Sequence, residues 1–193
     1  MIDVIVMAAG KSSRFGSDKL IAEVDYRPLL AVTLDMVLET MEPDRVMVVV
    51  GPNDQERTSI AQSRFVRKTV ALDAARGIRW SIQSGLDAAS ADASGVAIVL
   101  GDDPIAAGAL PDVLNTATGI PDRIVAVRRL GSAPHPVYLP RVRWPTPPHV
   151  DDDSGLRSLL DSDVEWLDLP GAAESHDVDD SVDLAALRVR LVD

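Results

Sequence analysis

Ile2-Asp3-Val4-Ile5-Val6-Met7-Ala8-Ala9-Gly10 decides the fold, because its two halves behave differently. Residues 2–7 form an apolar, β-branched run with the length of a strand buried on both faces. Ala8-Ala9-Gly10 is a turn of small residues, where backbone can come close to a ligand. Three more runs share the character of the first: Val46–Val50, Val96–Leu100 and Ile124–Val127. Helical segments fit between them. Pro28–Met41 starts with a proline suited to a first helical turn, and Ile78, Ile82, Leu86 and Ala89 recur on one helical face. Gly108–Ala117 and Asp180–Leu191 read as shorter helices. Strands alternating with helices imply right-handed βαβ crossovers, hence a single α/β domain over residues 1–193 with a largely parallel sheet and helices on both faces. In such sheets ligands bind beyond the carboxyl ends of the strands. Pro134–Val150, rich in proline, arginine and tryptophan, reads either as an excursion that helps form a substrate pocket or as a surface loop.

Two strand ends carry chemistry. After the first comes Gly10-Lys11-Ser12-Ser13-Arg14-Phe15-Gly16-Ser17-Asp18-Lys19. Its glycines let N–H groups approach an anion, and Ser12, Arg14 and Lys19 add donors. Arg14 can fork two phosphate oxygens, whereas Lys19 offers a mobile point charge. The spacing is neither that of a P-loop nor that of a dinucleotide fingerprint. On its own it would also suit a flexible turn with solvated basic residues. After the third strand comes Gly101-Asp102-Asp103-Pro104, a common turn that also puts a carboxylate in the cleft, where it could hold Mg²⁺ against a triphosphate.

Composition narrows the function. The chain has 193 residues, 46% of them hydrophobic, which suits one domain with a sizeable core and excludes intrinsic disorder. A net charge of −11 argues against a nucleic-acid surface, and aromatics at 4% argue against a stacking platform. Residues 101–193 hold 8 basic and 17 acidic side chains, so an anionic substrate needs a metal or a site in the first half. With no cysteine, thiolate metal sites and a catalytic cysteine are excluded. No apolar run is long enough for a membrane helix and no signal-peptide pattern is present, so no membrane partner is expected and the cytoplasm is the expected compartment.

Ala8-Ala9-Gly10-x-Ser12-x-Arg14-Phe15-Gly16-x-x-Lys19-Leu20, followed by Pro28-Leu29-Leu30, resembles the signature of the MobA-like nucleotidyltransferases. Met7 and Phe15 are mild departures. The resemblance implies a Rossmann-like fold of the nucleotide-diphospho-sugar transferase type. It also implies that Ala8, Ala9, Gly10, Ser12, Arg14, Gly16 and Lys19 bind the triphosphate of a nucleotide. The double alanine resembles the molybdenum cofactor cytidylyltransferase branch, since the guanylyltransferase branch usually has glycine at the Ala9 position.

Further blocks extend the resemblance across nearly the whole chain. Gly77–Leu86 resembles the family's helix start near base and ribose, with Ser81 and Gly85 at the small-residue positions. Asp102 falls on the metal-binding aspartate of a Gly-Asp-(Gln/Met)-Pro motif, with Asp103 in place of the usual Gln or Met. Asp177-Val178-Asp179 resembles the closing motif, where Asp179 falls on the second metal carboxylate and Asp177 is the nearby competitor. His135-Pro136-Val137 and Asp153-x-Gly155-x-Arg157 resemble acceptor-side motifs of the cytidylyltransferase branch, with Pro134 and Asp152 standing where glycine is usual.

The resemblance therefore implies a Mg²⁺-dependent nucleotidyltransferase passing CMP from CTP to molybdopterin or its molybdenum-loaded form, with release of pyrophosphate. Arg14, Lys19 and Asp102 are the expected catalytic residues, Asp102 and Asp179 the metal ligands, and Asp103, His135, Asp153 and Arg157 the acceptor side. A molybdenum hydroxylase apo-enzyme is the expected protein partner. Alternatives are transfer to another phosphorylated acceptor, an oxidoreductase on the same scaffold, and a non-catalytic cofactor-maturation protein.

Overall fold

The computed structural model describes residues 1–10, 18–130, 133–145, 155–160, 163–169, 183 and 187. The four apolar runs form strands β1 (Ile2–Ala8), β4 (Val46–Val50), β6 (Gly95–Leu100) and β7 (Ile124–Val127). Between β1 and β4 lie a small hairpin, β2 (Glu23–Val24) and β3 (Arg27–Pro28), and helix α1 (Leu29–Leu38). Helix α2 (Gln55–Ser63) leads to β5 (Arg67–Val70), and α3 (Ile78–Asp87) leads to β6. Helices α4 (Pro104–Ala107) and α5 (Leu110–Gly119) precede β7, and β8 (Val137–Pro140) and β9 (Val164–Leu167) follow it.

Among the described residues, seven strands make one sheet in the order β5-β4-β1-β6-β8-β7-β9. Neighbours pair in parallel except at β8, which runs antiparallel to both β6 and β7. The architecture is a Rossmann-like α/β fold, as the resemblance implies, with the mostly parallel sheet that the alternation of runs implies. The strand-end alternation sorts β1 onto two cores. Val4, Val6 and Ala8 face Leu30, Leu34 and Val37 of α1, whereas Ile5 and Met7 face Ile82 and Leu86 of α3. Every one of these aliphatic side chains is buried, so both faces contribute to the driving force for folding.

The strand within Pro134–Val150 corrects the reading of that stretch as an excursion or surface loop. Val137–Pro140 is wholly buried in the sheet between β6 and β7, and Tyr138 is 1% exposed with its hydroxyl donating to the Pro121 carbonyl at 2.9 Å. Gly95 on β6 makes room for that ring, since an added Cβ would lie 2.6 Å from it. The expected Gly108–Ala117 helix is α5, which starts at Leu110 and runs on to Gly119, and a separate short helix, α4, capped by Asp103, precedes it. Of the expected Asp180–Leu191 helix, Asp183 and Leu187 are helical, and Leu187 packs on Val24, Leu29 and Val32; its other residues lie outside the described ones.

Candidate active site

The chain passes from β1 through β4 to β5 on one side, then returns to β6 on the other side of β1. That reversal opens a crevice beyond the carboxyl ends of β1 and β6, where ligands bind in sheets of this kind. The crevice has a rigid wall. Gly101 donates its N–H to the Met7 carbonyl at 3.0 Å, and its own carbonyl accepts from Thr33 Oγ1 of α1 at 2.9 Å. A Cβ at Gly101 would lie 2.9 Å from the Met7 oxygen and 3.1 Å from Leu30 Cδ1, so glycine permits this approach. Asp102 is the next residue and projects from a fixed strand end.

Lys19 meets it there. Lys19–Ile21 forms one turn of 3-10 helix capped by Asp18, whose Oδ1 accepts from the Leu20 N–H at 3.1 Å. Leu20 is buried with Leu30 and anchors the turn. Lys19 Nζ stands 2.5 Å from Asp102 Oδ2, with the two side chains 18% and 14% exposed. The structure thus brings together a loop cation and a strand-end carboxylate singled out in the sequence. They neutralise each other at the mouth of the crevice. An incoming polyanion would compete for Lys19 and leave Asp102 for a cation. Among the described residues no three His, Asp or Glu side chains gather as a cation cage. One hard oxygen donor fits a Mg²⁺-like ion, which keeps waters and takes phosphate oxygens.

Ala8 and Ala9 are buried and Gly10 is exposed at the entry to the loop. Ser12, Arg14 and Gly16 lie outside the described residues, as do Asp153, Asp177 and Asp179. The loop's base is nevertheless defined, by a residue that sequence reasoning missed. Arg57, on the first turn of α2 and 5% exposed, donates to the Ala8 and Gly10 carbonyls and to the Asp18 carboxylate. The available signal was Asp54-x-x-Arg57, a capping aspartate followed by an arginine on an otherwise polar helix.

Asp103 sits beside Asp102 in sequence yet points inward. It is 1% exposed; Oδ1 accepts from the Ala106 N–H at 2.9 Å, capping α4, and Oδ2 is bonded to the Arg129 guanidinium. His135 is fully buried, with Nε2 3.8 Å from the same oxygen. Asp103, Arg129 and His135 therefore form a buried polar cluster under the β6–α4 turn, tying it to the connection between β7 and β8. Arg157 is exposed on the 3-10 turn Leu156–Leu159, which follows Gly155 at φ +67°.

On α3, Ser81 is 4% exposed and Gly85 faces the sheet. A Cβ at Gly85 would lie 2.8 Å from Ile5 Cγ2 and 3.2 Å from Val49 Cγ2. Gly85 therefore sets how closely α3 packs on β1 and β4. Trp80, near the start of α3, lies under the Arg76 guanidinium, 3.7 Å from its ring centroid.

Comparisons with known proteins agree with this fold. A segment of 47 residues, 24% of this chain, is 36% identical to a probable molybdenum cofactor guanylyltransferase of Thermococcus sibiricus, and covers 24% of that relative's length. A nucleotidyl transferase from Methanothermobacter superposes with a TM-score of 0.79 at 18% identity, over 100% of this chain and 98% of that one. Rv0371c of Mycobacterium tuberculosis, solved as a complex with manganese, superposes with a TM-score of 0.71 at 21% identity, over 97% and 98% of the two chains. These two structures share the fold. The model of the MobA-like NTP transferase domain matches residues 4–167, from β1 to the end of β9. The chain belongs to the MobA-like NTP transferases and is a nucleotidyltransferase.

Proposed function

We propose that this enzyme transfers CMP from CTP to molybdopterin or its molybdenum-loaded form, in the cytoplasm, and that its product serves a molybdenum hydroxylase. The observation that carries the reading is the Lys19–Asp102 pair at the crevice between β1 and β6. An acceptor phosphate oxygen attacks the α-phosphorus, the new P–O bond forms, and the bond to the bridging oxygen of pyrophosphate breaks. That phosphate is already ionised near neutral pH, so the protein need not supply a base. Its work is positioning and charge neutralisation.

Each residue has a place in this scheme. Backbone around Ala8, Ala9, Gly10 and Gly16, with the Ser12 hydroxyl, receives the phosphates. Arg14 and Lys19 offset their charge and that of the departing pyrophosphate. Asp102 and Asp179 would hold Mg²⁺, which supplies charge neutralisation at the phosphates. Ser81 belongs to the nucleoside side, where Gly85 acts through helix packing. Asp153 and Arg157 face the acceptor, and Asp103 and His135 support that side from beneath its surface.

Base choice follows from the residue at position 9. The Ala9 methyl occupies space that glycine would leave open, and one methyl in a tight site discriminates by about 10–200-fold. Ala9→Gly should therefore narrow a preference for CTP over GTP without abolishing CTP use. The name of the Thermococcus relative favours a second reading, GTP as donor with the same acceptor. Pyrophosphate release with molybdopterin, Mg²⁺ and CTP or GTP at equal concentration separates the two. Release with neither nucleotide, while a sugar phosphate or alcohol phosphate supports it, would reject the acceptor.

A further inference from the structure

We infer that Arg57 is the positioning residue of the nucleotide site, closing the base of the phosphate loop from beneath. The inference rests on assigning the loop after β1 to the triphosphate. Residues 11–17 stand between Gly10 and Asp18, and one guanidinium holds both. On the entering side, Arg57 Nη1 donates to the Ala8 carbonyl and, at 3.0 Å, to the Gly10 carbonyl. On the leaving side, Nε and Nη2 donate to Asp18 Oδ2 at 3.1 and 2.6 Å. Asp18 passes the restraint to the catalytic turn, since its other oxygen caps Leu20 next to Lys19.

The chemistry explains why arginine serves here. Carbonyls turned inward need donors, and a trans peptide directs the N–H on its far side the opposite way. Holding the Ala8 carbonyl thus aims the Ala9 N–H away from Arg57. Asp54 lies 3.1 Å from Nε as well, so Arg57 sits between two carboxylates. Without it, Asp18 would present an unbalanced negative charge beside a triphosphate. The planar fork spreads its donors over three nitrogens and makes four bonds, to two carbonyls and a carboxylate, whereas an ammonium has three donors on a single atom. Its side chain is 6% exposed and its bonds point into the protein, so it touches no substrate.

The test measures Mg-nucleotide and acceptor KM for Arg57→Lys and Arg57→Met, with calorimetric nucleotide binding and hydrogen exchange on the same samples. Nucleotide KM and Kd should rise at least about tenfold in Arg57→Met, and by less in Arg57→Lys, whose ammonium still balances Asp18. The acceptor KM should stay within about twofold, and faster exchange should be confined to the segment around residues 9–20. Should Arg57→Met fail to fold, Arg57→Lys alone decides: an unchanged nucleotide KM and Kd overturns the inference. Lowered thermal stability with parent-like nucleotide binding overturns it too, leaving Arg57 a purely structural residue. If the parent itself binds no nucleoside triphosphate, the loop assignment fails and takes the inference with it.

Discussion

Asp102 and Asp103 are adjacent carboxylates that should answer the same substitution in opposite ways. Asp103→Asn keeps the shape and a capable N-cap for α4, so it isolates the loss of charge. That loss leaves the Arg129 guanidinium, whose side chain is fully buried, without its carboxylate. Breaking a buried pair from one side costs about 3–5 kcal/mol. In a domain of this size each kcal/mol moves Tm by about 2–4 °C, so Tm should fall by about 6–20 °C. Asp103→Ala should lose about 1 kcal/mol more, for the cap. Asp102→Asn removes a partner from Lys19 at a position water can reach, and such pairs contribute about 0–1 kcal/mol. Its Tm should stay within about 4 °C of the parent, while turnover collapses because the carboxylate meant for the cation is gone. Thermal denaturation and pyrophosphate release on one set of samples read both effects. Parent-like Tm for Asp103→Asn, or parent-like turnover for Asp102→Asn, would refute the division of labour.

Two further outcomes follow from the packing and charge of the sheet. Gly85→Ala should lower Tm by a few degrees, because overpacking against Ile5 at about 1–3 kcal/mol outweighs a gain of about 1 kcal/mol in helix propensity; a raised Tm would show that α3 can retreat from β1 freely. Asp3 is fully buried at the opposite end of β1; burial raises its pKa, but bonds from Ser90, Arg45 and Arg67 outweigh this and hold it below its ordinary 3.8. Its stabilisation is therefore complete above that value and lost as pH falls through the depressed one. Asp3→Asn should flatten the acid limb of a Tm-versus-pH curve, and an unchanged slope below about pH 4 would contradict this.

What was legible in the sequence depended on how each element is buried. The strands β4, β6 and β7 are apolar throughout, and β1 is apolar but for Asp3, because the sheet is covered on both faces there. Strand β5, Arg67-Lys68-Thr69-Val70, escapes notice because it is a half-exposed edge with polar residues on both sides. Strand β8 hides between Pro136 and Pro140, and its antiparallel direction breaks the simple alternation of strand and helix. Helix α2 buries only Arg57 and Ala61, too little for an apolar face. At the site, Lys19 and Asp102 were each recognisable from their motifs, yet their ion pair depends on β1 and β6 being neighbours. Asp103 falls on the acceptor-side position of its motif, but sequence gives adjacency, not direction; the α4 cap turns it inward. The Arg57–Asp18 clamp joins distant positions with no motif to announce it.

The most direct test of the account is a calorimetric titration of Mg-CTP and Mg-GTP into the parent enzyme and into Lys19→Met. A triphosphate seated between β1 and β6 should bind the parent and lose at least about tenfold in affinity when the Lys19 ammonium is removed. Equal affinity in the two proteins, or no binding of either nucleotide to the parent, would contradict the placement of the nucleotide in this crevice.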